Sequence, residues 1–383
     1  MKEISISGSD GVGKTQQISL LAMDGEGLQF TGRLTDYSHR WPKLAPANDF
    51  NWWFKEVPFH DFVSIVTESL RNRRAACVVG KTAVHDRGVR MFKAVCAATM
   101  VARGESAEVD AAHIVDELFS KAGVVEDDSE ILLRISPTYQ EETRRLREAI
   151  EIRDQKYLPW QNELYARYQK WLAVFMDHYF SGLNSANVIT VNDCILGIQA
   201  RLRESIGGMG HPIQPILCGH LEKLVAFGGL SESGKSSHAD RLRTHHGYCR
   251  LKIKYFDDIV RSRGLTSTPE TIGRELLAFI DSHKHLTHVS IESLHNASLP
   301  AYLKLLFGSR MKVVYLDTPQ ETRVARTAHE LQISVQDAAK KVAEKDMVKV
   351  ERGADKVAEI ADVVFRNEAD GFESGFNNFI GML

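Results

Sequence analysis

A glycine-rich octapeptide near the beginning of the chain constrains its fold more than any other feature. Residues 8–15 read Gly-Ser-Asp-Gly-Val-Gly-Lys-Thr, which fits the phosphate-binding pattern G-x-x-x-x-G-K-[ST]. The octapeptide follows a β-like run, residues 4–7, and precedes a helix-like run, residues 16–21. In that context the loop N–H groups and the helix N-terminus point at a bound anion, so the pattern predicts an α/β nucleotide-binding fold.

The same pattern recurs in the second half of the chain, where residues 229–236 read Gly-Leu-Ser-Glu-Ser-Gly-Lys-Ser after a strand-like run, residues 224–227. We therefore expect two ATP sites. Each lysine would reach the β- and γ-phosphates, and each hydroxyl, from Thr15 and Ser236, would bind Mg²⁺. The predicted ATP-binding residues are Gly8, Ser9, Asp10, Gly11, Val12, Gly13, Lys14 and Thr15, and Gly229, Leu230, Ser231, Glu232, Ser233, Gly234, Lys235, Ser236 and Ser237.

Composition limits the class of protein. A chain of 383 residues predicts two or three domains, and a net charge of −2 gives no general nucleic-acid or membrane footprint. No apolar run approaches the roughly 20 residues of a transmembrane helix, and the first residues do not resemble a signal peptide. Five scattered cysteines favour reduced thiols and a cytoplasmic protein. His211, Cys218 and His220 lie close together, but without a second ligand cluster we interpret them as linker residues.

A candidate acceptor site follows a predicted strand over residues 75–84. The strand runs into Asp86 and Arg87, and ligands of open α/β sheets bind at the carboxyl ends of strands. Asp86 could orient or deprotonate an acceptor oxygen or hold Mg²⁺ through water, and Arg87 could bind an acceptor phosphate. The alternative is a structural ion pair.

Two further stretches of the first half each have two interpretations. Seven aromatic residues between positions 37 and 59 form either a hydrophobic cluster under a long loop or a wall against which a planar base stacks. An arginine-rich helix after the strand at residues 131–135 is either a mobile lid or a solvated charged face. The lid arginines would be Arg144, Arg145, Arg147 and Arg153.

Residues 1–206 resemble the thymidylate kinase family. The resemblance lies in the glycine-rich loop, Asp86-Arg87, the strand near Leu133, and the run 153–157 with Tyr165 and Tyr168. It implies phosphorylation of thymidine monophosphate with ATP and Mg²⁺, with acceptor-side roles for Asp86 and Arg87 and a lid role for Arg144, Arg145 or Arg153. Residues 32–35 read Gly-Arg-Leu-Thr where the family has Arg-Glu-Pro-Gly, so acceptors other than thymidylate remain open.

The second half begins after a linker, residues 207–221, that is rich in glycine and proline. We predict a strand over residues 248–255 that presents Asp257 at its carboxyl end as the general base for an acceptor hydroxyl, or alternatively as a helix N-cap. Arg274 is either an acceptor ligand or an exposed helix residue. A helix over 321–330 carries Arg323 and Arg326, and a charged helix over 335–352 could form a lid.

Residues 222–383 resemble dephospho-coenzyme A kinases and other nucleotide kinases. The resemblance lies in the second glycine-rich loop, residues 257–261, the strand end 316–319, and Ala361-Asp362 with Asn367. It implies that Asp257 activates the acceptor hydroxyl and that the turn ending at Asn367 lies near the adenine.

These observations predict an α/β protein of two nucleoside-monophosphate-kinase-like P-loop domains, residues 1–206 and 222–383, each a mostly parallel sheet flanked by helices. The predicted function is phosphoryl transfer to nucleotide-like small molecules, of which consecutive phosphorylation of one nucleoside or nucleotide is one form. The predicted catalytic residues are Lys14, Asp86, Arg87, Arg153, Lys235 and Asp257. The alternatives are a kinase acting on DNA or RNA hydroxyls, and a nucleotide-binding regulator with one inactive domain. A homodimer is compatible with the first resemblance.

Overall fold

The chain divides into two compact units. The computed structural model describes residues 2–24, 27–43, 46–150, 159–208, 210, 217–292, 294–367 and 372–382. The first unit comprises residues 1–139, 153–192 and 198–215, and the second comprises residues 140–152, 193–197 and 216–383. Among the described residues, no helix combines the length and apolar composition that crossing a bilayer requires.

The first part of the chain alternates strands and helices. In chain order the elements are β1 (Lys2–Ser7), α1 (Lys14–Leu21), β2 (Leu28–Phe30), α2 (Pro46–Asn51), α3 (Phe59–Ala75), β3 (Thr82–Asp86), α4 (Val89–Arg103), α5 (Glu108–Lys121), β4 (Ser129–Ile135), α6 (Pro137–Glu142), α7 (Arg144–Ile150), α8 (Pro159–Phe180), β5 (Val188–Val191) and α9 (Ile195–Gly208).

The second part repeats the alternation. Its elements are β6 (Lys223–Gly228), α10 (Lys235–His246), β7 (Cys249–Lys252), α11 (Ile253–Ser262), α12 (Pro269–Ser282), β8 (His288–Glu292), α13 (Ser298–Phe307), β9 (Met311–Asp317), α14 (Gln320–Leu331), α15 (Val335–Glu351), β10 (Val363–Arg366) and α16 (Phe372–Met382).

Each unit contains one five-stranded sheet, and all of the described strand pairs are parallel. The strand orders are β2-β3-β1-β4-β5 and β10-β9-β6-β8-β7. Counted from the first strand of each sheet, both orders read 2-3-1-4-5, in one or the other direction. The strand before each glycine-rich loop is therefore central, and the order reverses beside it, which is where open α/β sheets bind ligands. The predicted α/β class with two parallel sheets is confirmed.

Strand β1 is buried on both faces although its sequence alternates polar and apolar residues. Strands buried on both faces usually read as continuous apolar runs. Here the polar face is accommodated by hydrogen bonds, since Ser5 Oγ donates to Asp127 Oδ2 at 2.6 Å and Ser7 Oγ donates to Glu130 Oε1 at 2.6 Å. The alternation therefore reflects a buried polar network and not a solvent-facing strand.

The aromatic stretch between residues 37 and 59 belongs to the hydrophobic core of the first unit. Phe50, Phe54 and Phe59 are buried, and the Trp53 ring stacks on Phe62 at a centroid distance of 5.8 Å. Because these phenylalanines have no free face, they cannot stack on a ligand. The interpretation as a hydrophobic cluster is the correct one for them.

Two strand predictions are wrong in their bounds. Residues 75–81 are not strand, because α3 continues to Ala75 and a turn precedes Thr82. The strand predicted over 248–255 ends at Lys252, because α11 begins at Ile253. Within α11 the residues Ile253, Phe256 and Val260 are buried, a helical spacing that turns one apolar stripe towards the core.

Replacing Phe62 by alanine tests the core of the first unit. The ring is 2% exposed, so we expect the free energy of unfolding to fall by about 3–5 kcal/mol. All five tryptophans precede residue 172, so tryptophan fluorescence during urea unfolding follows the first unit selectively. Val79→Ala is the control, because Val79 is 88% exposed. Equal midpoints for the two variants would contradict the core assignment.

Candidate functional site

The first glycine-rich loop joins β1 to α1. Gly13 precedes the helix in the left-handed region, at φ 94°, and Gly8 has φ 150°. A Cβ on Gly8 would lie 2.5 Å from the Leu133 carbonyl oxygen, so only glycine fits there. The loop therefore folds close against β4, with the N-terminus of α1 at its end.

Lys14 is buried and turns back over its own loop. Its Nζ donates to the carbonyl oxygens of Gly8 and Ser9, both at 2.7 Å. Burial lowers the pKa of Lys14 to about 8, and the nearby Arg87 guanidinium adds to the shift. Burial therefore destabilises the positive charge of Lys14, and an anionic ligand in contact with its ammonium group would stabilise that charge.

Asp86 and Thr15 meet at the end of β3. Thr15 Oγ1 donates to Asp86 Oδ2 at 3.3 Å. The other carboxylate oxygen, Oδ1, is buried and receives no hydrogen bond from the described residues, although Arg87 Nη1 lies 3.8 Å from it. A hydroxyl beside a carboxylate with an unsatisfied oxygen fits Mg²⁺, which prefers oxygen ligands.

Arg87 adopts a left-handed backbone conformation, with φ 67°. Its N–H donates to the Ile6 carbonyl at 3.1 Å, and its own carbonyl accepts from Arg73 Nη1 at 3.0 Å. The guanidinium of Arg87 donates to Asp10 Oδ1 at 2.8 Å. Strain of this kind persists only where surrounding contacts impose it, and here they aim Arg87 at the glycine-rich loop.

Helix α8 contributes two residues, Tyr165 and Gln169, that contact the glycine-rich loop. Neither is among the binding residues predicted from the sequence. Tyr165 Oη and Gln169 Nε2 both donate to Asp10 Oδ2, at 2.8 and 3.2 Å. Burial raises the pKa of Asp10, but Arg87 and Tyr165 outweigh this effect and hold the carboxyl below its usual pKa. Asp10 is therefore a charged centre that ties the loop to Arg87 and α8.

Two acidic residues, the buried Glu130 and the partly buried Asp127, hold the backbone next to Arg87. The N–H of Val89 donates to Asp127 Oδ2 at 3.0 Å, and that of Gly88 donates to Ser7 Oγ at 3.1 Å. A Cβ on Gly88 would lie 2.5 Å from the carboxylates of Asp127 and Glu130. Burial and the charge of Asp127 raise the pKa of Glu130 to about 7. Negative charge next to a helix N-terminus is stabilising, so these carboxylates stabilise the start of α4 and fix the direction of the chain after Asp86.

The second glycine-rich loop joins β6 to α10 with the same geometry. Gly229 has φ 135° and Gly234 has φ 91°. A Cβ on Gly229 would lie 2.8 Å from the Leu316 carbonyl oxygen, which repeats the contact of Gly8 with β4. Lys235 Nζ donates to the carbonyls of Gly229 and Leu230, at 2.9 and 2.5 Å.

Lys235 faces another ammonium group. Burial lowers the pKa of Lys235 to about 7, and the charge of Lys349 on α15 is the next largest cause. The pKa of Lys349 is also lowered, by burial. Two ammonium groups with lowered pKa values, one acting on the other, indicate a site for a polyanion.

Ser236 repeats the arrangement of Thr15. Its Oγ donates to Glu292 Oε2 at 2.7 Å, and Glu292 is the last residue of β8, as Asp86 is of β3. Arg250 donates twice to Glu292 Oε1, at 3.0 and 2.6 Å. The hydroxyl and carboxylate oxygens fit Mg²⁺ as in the first unit, although here both carboxylate oxygens already have partners.

A cavity of about 1060 Å³ lies over the second loop. Its lining includes loop residues 231–237, Glu292, His295, Arg326, Glu330, Glu344, Lys345, Val348, Lys349, Arg352 and Asn367. Asn367 Nδ2 donates to the Ser233 carbonyl at 2.8 Å, so the residue that follows β10 contacts the loop. A cavity of this size accommodates a nucleotide together with a second small molecule.

Asp257 does not lie where the sequence predicted it. It is in α11 and not in a loop after a strand, and the residue that caps α11 is Lys252. The Asp257 carboxylate accepts hydrogen bonds from Ser267 Oγ and from Arg261 Nε, the latter at 3.0 Å. Ser267 and Arg261 together hold the pKa of Asp257 below its usual value, against partial burial.

The other predicted arginines have mixed environments. Arg144 is exposed and pairs with Glu141 and Glu148, and α7 packs against α13 in the second unit. Arg153 lies outside the described residues, and Arg274 is exposed. Arg323 is buried and donates to Asp346 and to the Ser231 carbonyl, so it joins α14 and α15 to the loop. Arg326 donates to the Glu232 carbonyl at 3.2 Å and lines the cavity.

No protein-family model and no curated protein matches the chain. Solved structures with a similar fold include a gluconokinase from Sinorhizobium meliloti 1021 (16% identity, 42% of this chain, 91% of that one, TM-score 0.28). They also include a thymidylate kinase from Candida albicans (14% identity, 55% of this chain, 92% of that one, TM-score 0.36). A third is an uncharacterized protein from Eubacterium ventriosum (12% identity, 42% of this chain, 97% of that one, TM-score 0.32). At these identities the likeness concerns the fold alone.

The low pKa of Lys235 predicts pH-dependent binding of ADP to the second site. Unliganded Lys235 loses its proton as the pH rises through about 7, whereas phosphate keeps it charged, so binding takes up a proton above that pH. In a Lys14→Met background, we expect the affinity measured by calorimetry to fall at least about tenfold between roughly pH 7 and 8.5.

The variant Lys235→Met should remove that pH dependence, and Lys340→Met should leave it intact. Lys340 is an exposed lysine of α15 that does not line the cavity. An ADP affinity of the Lys14→Met protein that stays constant over this pH interval would show that Lys235 does not carry the effect.

Proposed function

We propose that the chain is an ATP- and Mg²⁺-dependent phosphotransferase with one transfer site in each unit, acting on nucleotide-like small molecules. One observation supports this most strongly. In both units a loop lysine, a loop hydroxyl and the carboxylate that ends the third strand meet at the same point of a 2-3-1-4-5 sheet. Phosphoryl transfer depends mainly on positioning and charge stabilisation, which these groups supply.

On the donor side, residues 8–15 and 229–237 would bind the triphosphate through loop N–H groups and the N-termini of α1 and α10. Lys14 and Lys235 would exchange their loop carbonyl partners for phosphate oxygens. Each carries a lowered pKa, so contact with an anion stabilises its charged form.

Mg²⁺ would be held by Thr15 with Asp86 in the first unit and by Ser236 with Glu292 in the second. When bound, the ion neutralises charge on the β- and γ-phosphates. The unsatisfied Oδ1 of Asp86 supports this assignment for the first unit, and the same hydroxyl–carboxylate pair supports it for the second.

The acceptor of the first unit would lie beside Arg87, which would bind its phosphate. Asp10, Tyr165 and Gln169 form a polar wall next to Arg87 and would contact the acceptor as well. A lid role for Arg153 is part of the proposal.

The acceptor of the second unit would enter the cavity over the loop. Lys349 and Arg352 line that cavity and favour an acceptor that carries negative charge. Asp257 stays a candidate acceptor ligand. Because its carboxylate is held by Ser267 and Arg261, we assign it to orientation of the acceptor. Two sites on one chain suit consecutive phosphorylation of one nucleotide-like metabolite.

Loss of one loop lysine should abolish one transfer only. Lys14→Ala and Lys235→Ala should each reduce one product about 100-fold or more, since each removes a positive charge from one transition state. The assay measures ADP and identifies phosphorylated products by mass spectrometry over a panel of nucleosides, nucleoside monophosphates, sugars and oligonucleotides. Lys340→Ala is the control.

The panel also separates the alternatives. Acceptor-independent nucleotide binding without any product would favour a regulator, and turnover with oligonucleotides alone would favour a polymer kinase. Loss of both products in either folded single variant would contradict independent sites.

Substituting the strand-end carboxylates should change the Mg²⁺ requirement of one site at a time. Asp86→Asn should raise the Mg²⁺ concentration for half-maximal activity of the first transfer about tenfold or more, and Glu292→Gln should do so for the second, because an amide is a poorer ligand for Mg²⁺ than a carboxylate. Asp177→Asn is the control, since that side chain is 71% exposed. Unchanged Mg²⁺ titrations would exclude these carboxylates as ligands.

A further inference from the structure

His295 is a cavity residue that the roles assigned so far do not use. It follows the end of β8 by three residues and lines the cavity over the second loop together with Lys235, Ser236 and Glu292. The residue is exposed, and its ring makes no hydrogen bond within the described part of the chain. Within the described part of the chain, an imidazole without a hydrogen-bond partner therefore lies just after the carboxyl end of β8, in the cavity over the second loop.

The charges around His295 come from several elements. The positive charges of Lys349 on α15, of Arg352 just after α15 and of Lys235 on α10 lower the pKa of the ring, and the negative charge of Asp257 on α11 raises it. Partial burial and the positive groups together lower the pKa of His295, so the ring is neutral at physiological pH. A neutral imidazole can accept a proton.

The acidic groups nearby are less suited to that task. Glu292 has both oxygens engaged, by Ser236 and by Arg250. Asp257 is engaged by Ser267 and Arg261. Glu330 and Glu344 line the cavity from α14 and α15 and are exposed, and a carboxylate is in general a weaker base than an imidazole.

We propose that His295 is the general base of the second site, a proposal that rests on the phosphotransferase function inferred above. An imidazole nitrogen takes the proton of the acceptor hydroxyl as the hydroxyl oxygen forms its bond to the γ-phosphorus. The bond between the γ-phosphorus and its bridging oxygen breaks, and ADP leaves with that electron pair. Protonated His295 returns its proton to water after product release.

The test uses the full chain carrying Lys14→Ala, so that only the second site turns over. The probes are ATP, Mg²⁺ and the member of the acceptor panel that gives the highest turnover in this background. Single-turnover rates are measured by chemical quench across a range of pH. We expect the rate to fall on the acidic side as His295 becomes protonated. His295→Gln should lower the rate about 100-fold or more and remove that acidic limb, with KM for ATP unchanged.

Two controls accompany the variant. His285→Gln replaces an exposed histidine in the turn after α12 that does not line the cavity, and it should keep the parental rate and pH profile. Calorimetric measurement of ADP binding checks that the His295→Gln protein retains a folded site. If this variant does not bind ADP, the test is made with His295→Asn instead.

The outcomes separate the two proposals. A parental chain that turns over no acceptor overturns the phosphotransferase function, and the base assignment with it. Acceptor turnover with a His295→Gln rate within about tenfold of the parent, or with the acidic limb retained, overturns the role of His295 alone.

Discussion

The hydrogen bond between a loop hydroxyl and the carboxylate that ends a neighbouring strand is the interaction on which both candidate sites depend. It requires the third strand of each sheet to lie beside the first, so that both carboxyl ends meet at one edge. Thr15 with Asp86 and Ser236 with Glu292 satisfy that requirement in two sheets of the same strand order. Sheet topology, rather than any single side chain, therefore brings a candidate metal ligand to each phosphate loop.

The two sites use this shared frame differently. In the first, one buried oxygen of Asp86 receives no hydrogen bond from the residues that the structure describes, while Arg87 is already engaged by Asp10. In the second, Glu292 is fully partnered, and the cations Lys349 and Arg352 face a wide cavity. An anion that binds the first site would therefore replace an existing ion pair, whereas an anion that binds the second would compensate cations that repel one another. This difference is compatible with two different acceptors.

The sequence predicted what local patterns encode. Both glycine-rich loops, the central strands before them and the strand end at Asp86 follow from residue type and spacing over fewer than ten positions. Asp257 was misplaced because the run before it was interpreted as strand, although the spacing of Ile253, Phe256 and Val260 favours a helix. The contacts of Tyr165 and Gln169 with Asp10 could not be predicted. They depend on how α8 packs on α4, which no local pattern specifies.

In the Asp10–Arg87 ion pair, the carboxylate of Asp10 occupies the guanidinium that an incoming anion would bind, so the anion has to compete with Asp10. A metabolite that carries a carboxylate would replace the single negative charge of Asp10 beside Arg87 by another single charge, so its binding would gain little electrostatic energy. A phosphate monoester carries nearly two charges and three acceptor oxygens, so it can displace Asp10 with a net electrostatic advantage. The released Asp10, still bonded to Tyr165 and Gln169, then becomes available to a hydroxyl of the incoming molecule. The Asp10–Arg87 ion pair would thus select ligands of the first unit by their charge.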